Sequence, residues 1–268
     1  MVWMHSALDP MPEDAEGNAR LGLSDLSLRF LGSGDAFGSG GRFQACILLS
    51  VEGHRVLLDC GASSLIAMKR FGVDPNEIEA ILLSHLHGDH FGGVPFFLLD
   101  AQFHMRKRAL TVAGPPGVES RVRDAMEVLF PGSTDMRWRF SIDFTTLVER
   151  RRATVGPVDV TAFRVLHTPG CSASGLRLCF GDKTVAYSGD TEWTSELLEL
   201  AAGADLFVCE AYSFEKKIRY HLDYRTLMKE RPALTCKRLV LTHMGADLLA
   251  RLPQLSLEVA EDGRSLSI

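Results

Sequence analysis

Ser84-His85-Leu86-His87-Gly88-Asp89-His90 places three imidazoles and one carboxylate within positions 85–90. Directly before it runs the apolar, β-type stretch Ala80-Ile81-Leu82-Leu83, and directly after it Phe91-Gly92-Gly93-Val94-Pro95-Phe96-Phe97. The cluster therefore sits where a buried strand gives way to a loop and then a helix. Ligands gather at such points on an α/β sheet. Neutral imidazole nitrogens and a carboxylate oxygen suit zinc, and also manganese or iron. His85 and His87 are two positions apart, so on an extended segment both point the same way and can share one ion. Asp89 and His90 are adjacent and diverge, which suits a second ion nearby. The hexapeptide thus implies two metals. The bland alternative, a polar surface loop that happens to be rich in histidine, does not account for the strand that feeds it.

The rest of the chain bounds the protein class. Its 268 residues fit one large α/β domain or two small ones, with length enough for a sizeable core. Composition is 46% hydrophobic and 24% charged, with no apolar run near the ~20 residues of a membrane span. A net charge of −5 gives no push toward nucleic acid. The six cysteines, at 46, 60, 171, 179, 209 and 236, form no C-x-x-C pair, and several lie in apolar runs such as Phe207-Val208-Cys209. They read as small buried hydrophobes in a reducing compartment, so a cytoplasmic location is expected. Residues 1–24 lack a basic segment followed by an apolar core and read as a disordered or loosely attached leader. Residues 25–268 read as a single domain, since no linker separates two autonomous units.

Along that domain, Leu26–Leu31 reads as a first strand, followed by five glycines between Gly32 and Gly41. Such a loop can bring backbone N–H groups to an anion, or serve only as a turn. Cys46–Val51 and Arg55–Asp59 read as a hairpin, and Asp59 is placed to orient a ligating histidine, to cap the helix starting near Ser63, or to do both. Helices are expected over Ser63–Phe71, Gly93–Met105, Val118–Leu129 and Ser195–Ala202. Strands are expected over Ile78–Leu83, Leu110–Ala113, Arg137–Phe144, Val158–Leu166, Leu176–Phe180, Val185–Tyr187, Leu206–Cys209 and Arg238–Leu241. Between Phe144 and Val158 there is room for little more than a turn. The basic run His104–Arg108 reads as a solvated helix end. Lys216, Lys217 and Arg219 either attract an anion or decorate a solvated loop.

One regularity spans the chain. Apolar strands end in turn on Asp59, His85, His167, Asp190, Glu210 and His243. Ends that face one edge of a sheet converge in space. Five of the nine histidines (85, 87, 90, 167 and 243) fall into this set, while His54 and His104 read as ordinary structural residues.

These residues resemble the metallo-β-lactamase superfamily: H-x-H-x-D-H at 85–90, a later His167, Gly189-Asp190 and Thr242-His243. The likeness runs from about Leu26 onward and implies a four-layer αββα fold of two mixed sheets flanked by helices. It also implies two divalent ions, zinc first among them. His85, His87 and His167 would hold one; Asp89, His90 and His243 the other. Asp190 would bridge both, together with a water or hydroxide. The bridging Asp190 stands where the best-known zinc lactamases carry a cysteine, which argues against that branch.

Within the superfamily the chain is more similar to ribonuclease Z and related phosphodiesterases. Leu31-Gly32-Ser33-Gly34, Tyr187-Ser188-Gly189-Asp190-Thr191, and Glu210-Ala211 followed by His221 carry that likeness. It implies a phosphodiesterase in which His221, held by Glu210, protonates the leaving oxygen, with Asp89 also counted as catalytic; the alternative for His221, set between Tyr220 and Leu222, is a structural residue at a helix start. The tRNA-gripping arm of ribonuclease Z has no counterpart, which turns the expectation toward small or cyclic phosphodiesters. The expected partner is thus an anionic phosphodiester, a small molecule or an RNA end; no membrane is expected, and the family implies a homodimer. A lactone, thioester or amide hydrolase on the same metals is the alternative.

Overall fold

Apolar residues occupy both faces of the central strands, and that dictates a layered molecule. In Cys46–Val51, Ile47 and Leu49 face one way and Cys46 and Leu48 the other; in Leu206–Glu210, Leu206 and Val208 oppose Phe207 and Cys209. A strand buried on both faces must lie between two other layers.

The computed structural model describes residues 26–268, so the expected leader lies outside the described residues. The first half runs β1 (Ser27–Gly32), β2 (Cys46–Val51), β3 (His54–Leu58), α1 (Ser64–Arg70), β4 (Ala80–Leu82), α2 (Gly88–Phe91), α3 (Val94–Phe103), β5 (Leu110–Gly114), α4 (Val118–Leu129) and β6 (Ile142–Thr146). The second runs β7 (Arg152–Val155), β8 (Val158–Arg164), β9 (Ser174–Phe180), β10 (Lys183–Tyr187), α5 (Glu196–Leu200), β11 (Leu206–Glu210), α6 (Tyr224–Glu230), β12 (Arg238–Thr242), α7 (Ala246–Leu249), β13 (Glu258–Val259) and β14 (Ser265–Ser267).

Two seven-stranded sheets result, ordered β14-β1-β2-β3-β4-β5-β6 and β13-β12-β11-β10-β9-β8-β7. Each is mixed: β3 to β6 are parallel in the first and β10 to β13 in the second, with antiparallel strands completing both. One apolar layer joins the sheets, and two more seat helices on their outer faces. This is the expected αββα arrangement. Each fully buried Leu or Ile in these layers contributes about 1.5–3 kcal/mol. The parallel strands β3, β4, β10, β11 and β12 deliver their C-terminal ends to one edge, which carries Asp59, Ser84-His85, Asp190, Glu210 and His243.

Several expectations need correction. Between Phe144 and Val158 the chain forms the strand β7, not a mere turn, and pairs antiparallel with β8. It is a polar edge strand whose Arg152 and Thr154 bond the Asp159 carboxylate, so apolar patterning does not reveal it. The strand expected from Arg137 begins only at Ile142, because Gln102 of α3 binds the Arg137 carbonyl and the Arg139 N–H and holds that backbone off the sheet. Helix α6, capped by the Asp223 carboxylate on the Thr226 N–H at 2.9 Å, starts just beyond the Tyr220-His221-Leu222 stretch and lies outside the helix ranges expected from sequence. Arg106 is no solvated helix end: it is 2% exposed and donates to the carbonyls of Pro75, Asn76, Ile78, Arg108 and Ala109. A buried guanidinium is tolerable only when its donors are met in this way. All six cysteines are free thiols.

Candidate metal centre

Nine residues expected at the site from sequence meet at the shared edge. His85 follows β4, His87 precedes α2, and Asp89 and His90 lie within it. His167 lies between β8 and β9, Asp190 follows β10, Glu210 ends β11, His221 precedes α6, and His243 follows β12. Seven of these offer donor atoms in two neighbouring groups, His85/His87/His167 and Asp89/His90/Asp190/His243.

The spacing tests whether metal ions fit. Two donors at ~2.0–2.2 Å from one tetrahedral ion stand on the order of 3.4 Å apart. His167 Nε2 lies 3.1 Å from His87 Nδ1. His90 Nε2 lies 3.4 Å from His243 Nε2, 3.3 Å from Asp89 Oδ2 and 3.1 Å from Asp190 Oδ1. Asp190 Oδ2 lies 3.5 Å from His243 Nε2 and 3.9 Å from His85 Nε2, so one carboxylate reaches both groups. His85 Nε2 and Asp190 Oδ1, both buried, have no hydrogen-bond partner. Orphaned buried polar atoms call for an explanation, and a pair of cations between these donors supplies one.

The tautomers agree. Asp59 is fully buried and accepts from the Ser84 N–H at 2.7 Å, the Ser84 hydroxyl at 2.8 Å, His90 Nδ1 at 2.7 Å and the Tyr187 hydroxyl at 2.8 Å. Since Ser84 Oγ spends its proton on Asp59, it accepts from His85 Nδ1, 3.1 Å away. One carboxylate thereby turns the Nε2 lone pairs of both His85 and His90 toward the centre, the arrangement typical of ligating histidines. His167 Nδ1 donates to the Tyr220 carbonyl at 3.0 Å, with the same result. Of the two uses foreseen for Asp59, the helix cap is not made: Ser63 occupies that position, without a side-chain capping bond.

Electrostatics point the same way. Burial opposes charge on Asp89, yet His90 and His243 hold its carboxyl well below the usual range. Asp190 behaves likewise, burial being outweighed by His243 and His90. Burial keeps His85 well below the ordinary imidazole range. Burial opposes charge on His243, but Asp190, Asp89 and Glu210 together push its pKa up to about 9. Carboxylates held ionised in a dry site attract positive charge, here protons on histidine or metal ions in their place.

The backbone is bent to serve this edge. Asp59 and His243 hold φ of 57° and 58°, left-handed conformations that persist only where the surroundings over-determine them. Gly61 is required at the seam, since a β-carbon there would meet the Asp89 carbonyl at 2.2 Å. Gly189, at φ 57°, would set a β-carbon 2.9 Å from that of Ser84.

Beside the donors, His221 Nδ1 lies 3.1 Å from Glu210 Oε2, while Glu210 Oε1 accepts from the Thr191 N–H. Burial opposes charge on His221, but the Glu210 bond, the Glu210 charge and that of Asp190 together raise its pKa above the ordinary value. A cavity of about 320 Å³ opens onto His87, His167, Asp190, His221 and His243, walled by Phe37, Tyr212, Arg219 and Tyr220. Tyr212, Tyr220 and Phe37 were not foreseen as wall residues; only Tyr220, next to His221, carried a positional signal.

The glycine loop does not present a free anion cradle. Its Ser39 N–H donates to Asp35 at 2.8 Å, and Ser33 and Phe43 N–H groups donate to Asp262 at 2.9 and 2.7 Å. Two of the chain's own carboxylates occupy it, so the turn reading holds. Lys217 is engaged by Asp223 at 2.6 Å, which leaves Arg219 as the member of that basic group that lines the cavity.

Two mixed sheets carrying a histidine–aspartate centre at their common edge define a metallo-β-lactamase-fold, metal-dependent hydrolase of the ribonuclease Z type. Residues 26–254 match the family described as "Anti-Pycsar protein Apyc1", and the chain belongs to that family. It is 26% identical to ribonuclease Z of Methanothermobacter thermautotrophicus, over 82% of this chain and 86% of the relative. It is also 26% identical to ribonuclease Z of Haloferax volcanii, over 91% and 96%. The short form of human tRNase Z superposes with a TM-score of 0.74 at 24% identity, over 90% of this chain and 99% of that one. YhfI of Bacillus subtilis, a metallo-β-lactamase-fold protein, gives 0.74 at 18%, over 91% and 100%.

Proposed function

We propose that residues 25–268 form one domain that hydrolyses small or cyclic phosphodiesters with two divalent ions. His85, His87 and His167 would hold one ion, Asp89, His90 and His243 the other, and Asp190 both. Zinc is the ion we assign, on the imidazole-rich donor set, with manganese or iron as substitutes. When bound, the pair supplies Lewis acidity that activates water and neutralises phosphoryl charge.

The chain's own residues do the rest. His221 stands at the cavity wall with Nδ1 turned to Glu210, which leaves Nε2 for a substrate oxygen. A phosphodiester's leaving alkoxide needs a proton; as water's oxygen bonds phosphorus and the P–O bond breaks, His221 donates that proton. The proton released by water restores it. Glu210 orients the ring and stabilises its charge. The Arg219 guanidinium faces the same cavity and favours an anion.

The single observation that carries this reading is the Glu210–His221 pair beside the donor groups. A carbonyl hydrolase with a good leaving group has no need of it. The relatives named ribonuclease Z support phosphodiester chemistry. The cavity volume, at the low end of the ~300–1,000 Å³ of small-molecule sites, supports a small substrate. Six free thiols support a cytoplasmic location. Among the described residues no helix is long and apolar enough to cross a membrane. A homodimer is the assembly the family likeness implies, and light scattering tests it.

Zinc-reconstituted protein should cleave bis(p-nitrophenyl) phosphate and a 3′,5′-cyclic nucleotide. His221→Ala should cost ~10²–10⁴-fold on the cyclic nucleotide, whose leaving hydroxyl is poor. Activity confined to a lactone or a thioester would move the protein to the carbonyl branch.

A further inference from the structure

His167 and His221 approach the cavity from different loops, yet both depend on one turn. The Tyr220 carbonyl accepts from His167 Nδ1 at 3.0 Å, and His221 follows Tyr220 directly. Tyr220 holds φ 72°, a left-handed conformation that a bulky side chain resists. Something must hold it there. The His221 N–H donates to the Ile218 carbonyl at 3.1 Å and closes the turn from within, which does not anchor it to the sheet edge.

The His221 side chain is tied to Glu210 at the end of β11; the backbone of the turn is anchored by Glu192. The Tyr220 N–H donates to Glu192 Oε1 at 2.6 Å. Glu192 is itself fixed at both backbone ends: its N–H donates to the Leu166 carbonyl at 2.9 Å, and its carbonyl accepts from Thr191 Oγ1 at 2.6 Å. Thr191 Oγ1 in turn accepts from the Leu166 N–H at 3.0 Å. Leu166 and Glu192 thus form an isolated antiparallel bridge. That bridge joins the residue before His167 to the residue two after Asp190. Glu192 therefore links three loops, two through its backbone and the third through its carboxylate.

We propose that Glu192 is a positioning residue: by pinning the Tyr220 N–H it holds the left-handed turn that sets both the His167 tautomer and the reach of His221. It touches neither donor group nor substrate. The inference rests on the two-metal phosphodiesterase reading. It requires an acceptor at the right distance, not a negative charge. That requirement separates it from a general electrostatic or structural role.

Two conservative variants divide reach from charge. Glu192→Gln keeps an acceptor oxygen at full length and loses the charge. Glu192→Asp keeps the charge and withdraws it by one methylene. With zinc-loaded protein and a chromophoric chelator, the Gln variant should retain metal within about threefold of wild type, and the Asp variant should lose affinity at one ion by about 10–100-fold, the usual cost of disturbing a ligand's support. The Asp variant should also lose more kcat on a 3′,5′-cyclic nucleotide than on bis(p-nitrophenyl) phosphate, with KM little changed. An Asp variant that matches wild type in both measurements overturns the proposal, as does a Gln variant impaired as much as the Asp one. Wild type separates the two levels of inference. If it neither retains zinc nor cleaves either diester, the two-metal reading falls and the Glu192 role with it. If it does both and the variants follow it unchanged, only the Glu192 role falls.

Discussion

The two donor groups of the centre differ in what holds them. Asp89, His90, Asp190 and His243 are all buried, and the His90 ring is tied directly to the buried Asp59. His87, in the other group, is partly exposed, and His167 is oriented by the backbone of a surface-facing turn. The first group is built into the sheet edge; the second is completed by a loop. A centre made this way keeps one rigid pole and one that local motion of the 218–221 turn can reach.

The largest expected effect comes from the residue common to both poles. Asp190→Ala should abolish retention of at least one ion and lower phosphodiester turnover by more than the ~10–100-fold expected for an outer residue. Metal analysis beside kinetics checks it, and a variant that keeps both ions would break the idea of a shared carboxylate. Next is the proposed proton donor. In that reading His221 acts protonated; burial lowers its pKa, but the bond and charge of Glu210 together with Asp190 raise it above the ordinary value. Turnover of a poor leaving group should therefore hold through neutral pH and fall as pH rises through that raised value. His221→Ala should erase the alkaline limb; a limb that persists in this variant belongs to another group.

Third comes Asp59→Asn. It turns an amide N–H₂ toward groups that now donate to Asp59 and should cost about 1–3 kcal/mol of stability. Metal loss should fall chiefly on the buried pole, measured by thermal melts with and without zinc. Equal weakening of both ions would show that Asp59 serves His85, through Ser84, as much as His90. The smallest effect is kinetic. Chelator should strip the two ions in separate phases, the loop-completed pole first, and His87→Ala should speed only the faster phase. A single phase would erase the distinction.

The same contrast explains what could be read in advance. The 85–90 cluster is contiguous, so spacing alone exposed its chemistry. His167, Asp190, Glu210 and His243 are legible because each ends or follows an apolar strand and strand ends converge. What stayed hidden depends on partners remote in sequence. Asp262 fills the glycine loop from more than 200 positions away, and no local pattern predicts that. The carbonyls that gather round Arg106 come from separate segments, so it read as an ordinary surface cation. Strand β7 has a polar outer face, and Glu192 acts through a backbone contact that any residue type could receive.

The pairing of β14 with β1 has a consequence for the newborn chain. The first sheet holds the histidine cluster, yet its edge strand, and the Asp262 that locks its glycine loop, lie some 230 positions beyond Gly32. At ~5–20 residues per second the ribosome needs roughly 10–45 s to span that gap. Within that interval the cluster, complete once His90 is made, waits some 150 further residues for His243 and longer still for its final scaffold. The full donor set therefore cannot assemble until synthesis has passed His243.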